Sequence, residues 1–265
     1  MKKRDNNPLL PRAAAWAGMA AAIAILGFLS VSLIKKSSYY TVRDVYVHEG
    51  RRAPIDLSYL KGRNIFTVDL QREAVYIAQR YPTYKTVRLV RVLPNRLYAE
   101  FVARTPRAYV QLSRVYCVDD DLVLFDVPLP AVPGGALPDL PVITGMASKI
   151  IGPKTGKQYP LKELWFAVNI VKEFKSLKGL NTLPLKRIEV PSGETATVFI
   201  PSLGVGTAAG KSPAPLEVKL ACDDLNGKMR ILDSLMTQLK DTRDTIKYID
   251  LRFKEPVIKL NDVKK

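Results

Sequence analysis

The strongest constraint on what this chain can fold into is an uncharged apolar run, AAAWAGMAAAIAILGFLSVSLI, at residues 13–34. Arg12 precedes it, and Lys35 and Lys36 follow it. A helix rises about 1.5 Å per residue, so the run spans roughly 30 Å, the thickness of bilayer hydrocarbon. The rest of the sequence mixes polar and apolar residues and offers no second candidate span. The expected organisation is a tail at 1–12, one transmembrane helix at 13–34, and a large region held at one membrane face. The tail carries Lys2, Lys3, Arg4 and Arg12 against Asp5, and the other flank carries Lys35, Lys36 and Arg43 against Asp44 and Glu49. Positive residues favour the cytoplasmic side, which puts the tail inside and the C-terminal region outside. A cleaved signal peptide is the rival reading. Its apolar core is usually about 7–15 residues long and ends at a small-x-small site; here the core is longer and lysines follow it directly.

The region after the span is long enough for one large domain or two small ones with a proper core. The only cysteines, Cys117 and Cys222, lie in the strand-like stretches VYCVD and VKLACDD. They read as two small buried hydrophobes, with a single bridge as the other option. The net charge of +16 is spread along the chain rather than gathered in one basic block. Such a charge often marks nucleic-acid binding, but a domain outside the membrane meets little nucleic acid. Anionic headgroups, acidic wall polymers or an acidic partner fit the location better, beside the simpler reading of a solvated basic surface.

Periodicity gives the element order. Residues 41–48 alternate as a strand with Val42, Val45 and Val47 inward. A short helical piece follows at 57–62, closed by Gly62, then an extended link at 64–68. Asp69 is placed to cap a helix at 70–80, with Leu70, Ala74, Ile77, Ala78 and Tyr81 on one face and Pro82 at its end. A hairpin follows, 86–93 and 96–102 around Pro94 and Asn95, with Leu97, Ala99 and Phe101 inward. Strand, helix, helix, strand, strand makes a compact layered unit.

From Arg107 the pattern turns to short strands. Residues 108–118 and 122–127 read as a second hairpin around Asp119, Asp120 and Asp121, followed by a Pro/Gly-rich connection at 128–141. Residues 161–178 form an amphipathic helix with Leu164, Trp165, Val168, Val171 and Phe174 sharing a face, and Gly179 at C′. Strands are expected at 185–190, 194–200 and 216–221, with a loop at 201–215. A helix at 225–239 turns Leu225, Met229, Leu232, Leu235, Met236 and Leu239 inward, and a last hairpin joins 245–253 to 256–260. The fold class is α+β.

Three features imitate active sites. The segment 204–212 resembles a phosphate-cradling loop, but Val205 stands where its first glycine belongs, and Pro213 and Pro215 bar the helix that must follow. The run Asp119–Asp121 could attract a hard cation, yet neighbours in a turn point in different directions and read as turn residues. His48, the only histidine, has no nucleophile or metal-ligand partner nearby in sequence. Acidic pairs such as Glu163 and Glu173 fall on solvent faces of helices. No catalytic set, cofactor motif or metal site is expected.

The order of elements and several short motifs resemble the FtsQ/DivIB family of bacterial cell-division proteins. Arg91-Val92-Leu93-Pro94-Asn95-Arg96-Leu97 is similar to that family's R-x-x-P-x-x-L hairpin. Arg104-Thr105-Pro106-Arg107-Ala108 resembles its E-R-x-P-x-A exit, with Ala103 in place of the glutamate. Residues 116–125 resemble its VD-x-x-G hairpin, with Leu122 in place of the glycine. Leu140-Pro141-Val142-Ile143-Thr144-Gly145 is similar to its LP-x-I-x-G segment, and Asp250-Leu251-Arg252-Phe253 to its terminal DLR-F/Y strand. The segment 201–215 stands outside the resemblance.

The resemblance implies a POTRA-type β-α-α-β-β domain at 40–104 and a larger mixed α+β domain with a mainly antiparallel sheet at 105–261. It implies a non-enzymatic scaffold, without cofactor or metal. The protein would cross the cytoplasmic (inner) membrane once, with its C-terminal region periplasmic or extracytoplasmic and gathered at the division septum. Its partners would be FtsB/DivIC-like and FtsL-like division proteins, with no nucleic acid and no small-molecule substrate. The family's partner surface lies around the last strands, which points to Phe253, Val257, Ile258 and Leu260, with Lys259 available to an acidic partner. A POTRA-bearing component of an envelope transport or secretion system is the alternative, though such proteins commonly carry a pore or several POTRA copies. A membrane-anchored hydrolase is a third class, and it lacks a catalytic set here.

Overall fold

The structure, a computed structural model, describes residues 9–48, 55–127, 138–201, 214–239 and 245–261, with side chains from Trp16 onward. Helix α1 runs Leu9–Lys36 and contains an apolar stretch, Trp16–Lys36, of mean hydropathy 2.2 and length 21 residues, none of it buried in protein. Trp16, Ile25, Leu26, Phe28 and Leu33 stand in the open on all sides of it. A surface so apolar and so uncovered matches a lipid environment, where the helix satisfies its own backbone groups. The chain divides into two compact units, one built on Met1–Arg80 and Tyr84–Val102, the other on Tyr81–Thr83 and Ala103–Lys265.

In the first unit, β1 (Asp44–His48), α2 (Leu70–Arg80), β2 (Tyr84–Val92) and β3 (Arg96–Ala103) follow one another. The sheet order is β1-β3-β2, with β1 parallel to β3. Helix α2 starts and stops where its sequence signals lie: the Asp69 carboxylate accepts from the amides of Gln71 and Arg72, both at 3.1 Å. Leu97, Ala99 and Phe101 point inward as the alternation requires, and they pack with Ile77 and Val42 in a closed core.

Three details differ from the sequence reading. The first helical piece is one 3-10 turn, Ser58–Leu60, ahead of Gly62 at φ +82°. The link at 64–68 is a turn rather than extended chain, because the Asn64 side chain accepts from the Phe66 amide (2.9 Å) while its carbonyl takes the Thr67 amide and hydroxyl. Val47 is 42% exposed. It lies near the far end of an edge strand that has a neighbour on one side only.

The second unit is one nine-stranded sheet in the order β12-β11-β10-β9-β8-β7-β4-β5-β6. The strands are β4 (Ala108–Gln111), β5 (Val115–Val118), β6 (Leu124–Phe125), β7 (Val142–Thr144), β8 (Arg187–Glu189), β9 (Thr195–Ile200), β10 (Leu216–Ala221), β11 (Ile246–Asp250) and β12 (Val257–Leu260). Its pairs are mainly antiparallel, with β4–β7, β7–β8 and β10–β11 parallel. The stretch 108–118 is itself a hairpin that turns at 112–114, and β6 adds beside β5. Helices α3 (Lys162–Ser176), α4 (Lys178–Asn181) and α5 (Leu225–Gln238) pack with one face of the sheet into a single buried cluster. Each large apolar side chain buried there contributes about 1.5–3 kcal/mol.

Trp165 is 56% exposed, against expectation. At about 100° per residue, Leu164, Phe166, Ala167, Ile170, Val171 and Phe174 sweep one broad arc of α3, and Trp165 falls opposite its centre. Gly179 does not sit at C′ of α3 but inside α4. A Cβ there would come within 2.6 Å of the Asp233 carboxylate on α5, which accepts from the Leu180 amide at 2.9 Å. Its lack of a side chain lets α4 and α5 meet.

The motif residues acquire physical roles. Gly145 has φ +90°, and a Cβ on it would lie 2.7 Å from the Val190 carbonyl oxygen. Leu122 has φ +58°, the left-handed region that glycine enters without cost. Its side chain is buried, so packing compensates for the backbone. Asp119 takes up the turn that follows β5: its carboxylate accepts from the amides of Asp121 (3.1 Å) and Val123 (2.9 Å) and pairs with Arg104 at 2.5 Å. Arg107 forks onto Asp120. Both exit-motif arginines therefore hold the acidic turn, and no group able to hold a metal occurs among the described residues.

The cysteines are free, Cys117 buried in β5 and Cys222 exposed just after β10. Their strands are separated by β4, β7, β8 and β9. At about 4.8 Å per strand this is more than 20 Å, against a reach of about 7 Å for a disulfide, so the bridged reading is ruled out. The segments 128–137 and 202–213 lie outside the described residues, and with them the proline-rich connection and the glycine loop.

Two substitutions test these roles. Gly145→Ala adds a clash to a disfavoured φ and is expected to cost at least about 2 kcal/mol, read as a lowered melting temperature and faster hydrogen exchange in β7 and β8. Asp119→Ala removes the close ion pair of the half-buried Arg104, leaving the longer one to Asp121 (4.0 Å), and is expected to cost about 2 kcal/mol in denaturant unfolding. A shift below experimental error in either case contradicts the role given.

Candidate partner-binding site

The last hairpin forms one edge of the large sheet. β11 lies parallel to β10, with Val218 beside Ile249, and β12 returns antiparallel to β11. Ile249 faces Ile258, Asp250 faces Val257, Tyr248 faces Lys259 and Ile246 faces Leu260, with an irregularity between Ile246 and Tyr248. Paired residues share a face in an antiparallel ladder. Ile258 and Leu260 therefore continue the core face of Ile249 and Ile246, while Val257 and Lys259 belong to the opposite face.

Register alignments trace a row of side chains across the sheet, Tyr116, Val110, Ile143, Ile188, Val198, Val218, Ile249 and Ile258. Every member is buried until Ile258, which is 38% exposed. Val257 and Leu260 on the same strand are 48% and 60% exposed, and Phe253 in the preceding turn is 62% exposed. Sequence reasoning singled out Phe253, Val257, Ile258, Lys259 and Leu260, and the structure brings all five together on β12 and the turn leading into it. All are exposed. Only Ile258 and Leu260 share the apolar face.

What sequence reasoning left without a role is the clamp that sets this edge. Asp250, buried at the end of β11, accepts from the Arg252 amide at 3.0 Å, and its two oxygens take the Arg252 guanidinium at 3.0 and 2.7 Å. Leu251 between them is buried, and its amide continues the ladder to the Lys219 carbonyl at 2.8 Å. An acid and an arginine two apart at a strand end can close such a turn, and that spacing was the available signal. The Arg252 hydrogen bonds hold the Asp250 carboxyl below its ordinary value against the opposing effect of burial, and Lys219 adds to the shift. Arg252 in turn lies 5.6 Å from the Phe253 ring centroid. The surface here is basic, with Lys247, Lys254 and Lys259 exposed around the hairpin.

The other candidates do not assemble a site. His48 stacks on Tyr98 with ring centroids 5.9 Å apart, which is a packing contact. Glu163 is tied to Lys149 at 3.2 Å. Burial pushes the Cys117 thiol up to about 12, so it is not a nucleophile at neutral pH.

Together these elements define a class: a chain with one helix long and apolar enough to cross a membrane, a small three-stranded unit and a larger α+β unit whose sheet ends, among the described residues, at β12. Comparison with known proteins narrows the class. The chain is 25% identical over 248 residues to the Cell division protein FtsQ of Geotalea daltonii, covering 91% of this chain and 83% of that protein. It is 25% identical over 246 residues to the Cell division protein FtsQ of Syntrophotalea carbinolica, covering 91% and 80%. A shorter match, 34% over 86 residues, joins it to the Cell division protein FtsQ of Myxococcus fulvus, across 32% of this chain and 28% of that one. No family model matches. The chain is thus similar to FtsQ cell-division proteins over nearly its whole length, in keeping with the likeness drawn from its motifs.

The clamp predicts a pH signature. Because the folded Asp250 carboxyl titrates below its unfolded value of 3.8, its stabilisation is complete above that value and is lost as pH falls through the folded one. Asp250→Asn is expected to melt lower than the unaltered chain at neutral pH, with the gap closing below about pH 4. A gap independent of pH would remove the electrostatic role.

Proposed function

We propose that this protein is a non-enzymatic scaffold of the division machinery, placed at the outer face of the cytoplasmic membrane with its N-terminal tail inside. It binds single-span partners of the FtsB/DivIC and FtsL types through β12 and thereby helps control septum formation. The observation that carries this reading is the buried row that ends half-open at Ile258. A partner strand added to β12 meets the outer backbone groups of an edge strand and covers Ile258 and Leu260 with its own apolar side chains. Phe253 and Val257 widen the contact, and Lys259 on the opposite face meets an acidic residue. The basic surroundings favour an acidic partner segment and speed its approach.

The small unit corresponds to a POTRA-type domain in this reading and serves localisation or recruitment. The charge of the flanks supports an inside tail. The likeness to FtsQ proteins supports residence at the septum, and His48 packed on Tyr98 and Asp119 and Asp120 held in a turn are in keeping with a non-enzymatic role.

The test is a pull-down of the FtsB/DivIC-type and FtsL-type proteins from the same cell. Ile258→Asp is expected to abolish capture and, since the side chain is already half-exposed, to lower stability by only about 1 kcal/mol. Leu260→Asp, more exposed still, should act the same way with less effect on the fold. Capture retained by both variants would overturn the edge-strand mode.

A further inference from the structure

The end of the membrane helix is built into the small unit. The last carbonyls of any helix lack partners within it, and near hydrocarbon an unsatisfied carbonyl is costly. The Asn64 side-chain amide donates to the Ile34 carbonyl at 3.1 Å and to the Ser37 carbonyl at 3.5 Å. The Ile65 amide donates to the Tyr40 carbonyl (2.8 Å) and the Val42 amide to the Arg63 carbonyl (2.9 Å), so the loop runs antiparallel to the chain leaving the helix. From the other side the Arg91 guanidinium donates to the carbonyls of Ile65 (2.8 Å) and Val68 (2.7 Å). The hairpin tip belongs to the same end of the unit, because the Arg43 amide donates to the Asn95 carbonyl at 2.9 Å. The position of this loop is thus fixed to Ile34, the last residue of the apolar run.

The side chains gathered at that level are amphipathic. Tyr39 is 60% exposed, Phe66 40% and Leu93 60%. The Tyr40 ring lies between those of Tyr39 and Phe66, with centroids 5.2 Å from each. Lys35 and Lys36 at the end of the span, and Lys61 just before the loop, are exposed as well. Aromatic rings concentrate at the headgroup level of bilayers, and lysines there are drawn to anionic lipid. Nothing in the fold of the small unit requires these rings and the Leu93 side chain to be open.

We propose that this end of the small unit is a lipid-contact platform. Tyr39, Phe66 and Leu93 seat in the interface of an anionic bilayer, Lys35, Lys36 and Lys61 meet its phosphates, and Asn64 and Arg91 are the positioning residues that hold the loop at the surface. The unit is then seated on the membrane rather than swinging from a tether. This inference rests on the membrane span alone and stands whether or not β12 binds a division protein.

The test uses the full chain in nanodiscs of phosphatidylglycerol or phosphatidylcholine that carry a headgroup spin-labelled lipid. With Trp16 and Trp165 replaced by phenylalanine, Phe66→Trp places one fluorophore in the platform, and Val102→Trp places one in a comparison chain near the far end of β3. Position 102 is 47% exposed and about 20 Å further along the strand than Arg96. Quenching at position 66 is expected to exceed that at position 102 by at least twofold and to be stronger in phosphatidylglycerol. Lys61→Glu is expected to weaken the anionic preference, and Asn64→Ala to bring position 66 toward the value at 102. Equal quenching at the two positions overturns the platform, and equal quenching at position 66 in the two lipids overturns its recognition of anionic headgroups.

Discussion

The row of side chains from Tyr116 to Ile258 is the constraint on which the larger unit depends. It is one register line drawn across short strands, several of them only two to four residues long. A strand of that length buries little by itself, and a lone pair of them is marginal in water. What makes each stable is that its inward residue abuts the inward residue of the next strand, under a lid formed by α3 and α5. The line must stop somewhere, and its burial stops at Ile258. The exposed face at β12 is therefore the unfinished end of the same packing that builds the core, which is what makes it the place proposed for a partner.

The elements with a strong periodic pattern were legible in the sequence. α2 and β10 occupy the residues their patterns gave, and the alternation of β3 placed its inward side chains correctly. The residues at the candidate edge came from the family resemblance, which puts a partner surface around the last strands, and not from periodicity. The misreadings share a cause. Trp165 is apolar and adjoins the buried arc of α3 in sequence, and only the position of the sheet decides that it falls on the wet side. Gly179 looked like a helix terminator, whereas its purpose is set by Asp233 on another helix. The Asp250–Arg252 clamp and the Asn64 contacts depend on the direction of individual side chains, which no periodicity encodes.

Motif departures from the family pattern follow the same logic. Leu122 takes a backbone conformation that suits glycine, and buries its side chain where glycine has none. Local backbone cost and nonlocal packing gain are balanced at one position, so the replacement is tolerated. Gly145 has no such freedom, since the Val190 carbonyl occupies the space any side chain would need. Of two glycine positions in neighbouring motifs, one is negotiable and one is not, and the difference lies entirely in what stands opposite.

The two thiols carry a practical consequence. Cys117 is sealed within β5 and held in its protonated form, while Cys222 stands at the surface after β10, three strands from the sheet's far edge at β12 counting both ends. The chain therefore presents a single addressable sulfur without any engineering. A maleimide dye or cross-linker added to intact protein will report from one known address, on the same sheet as the open edge and close enough to it to register the arrival of another chain by energy transfer.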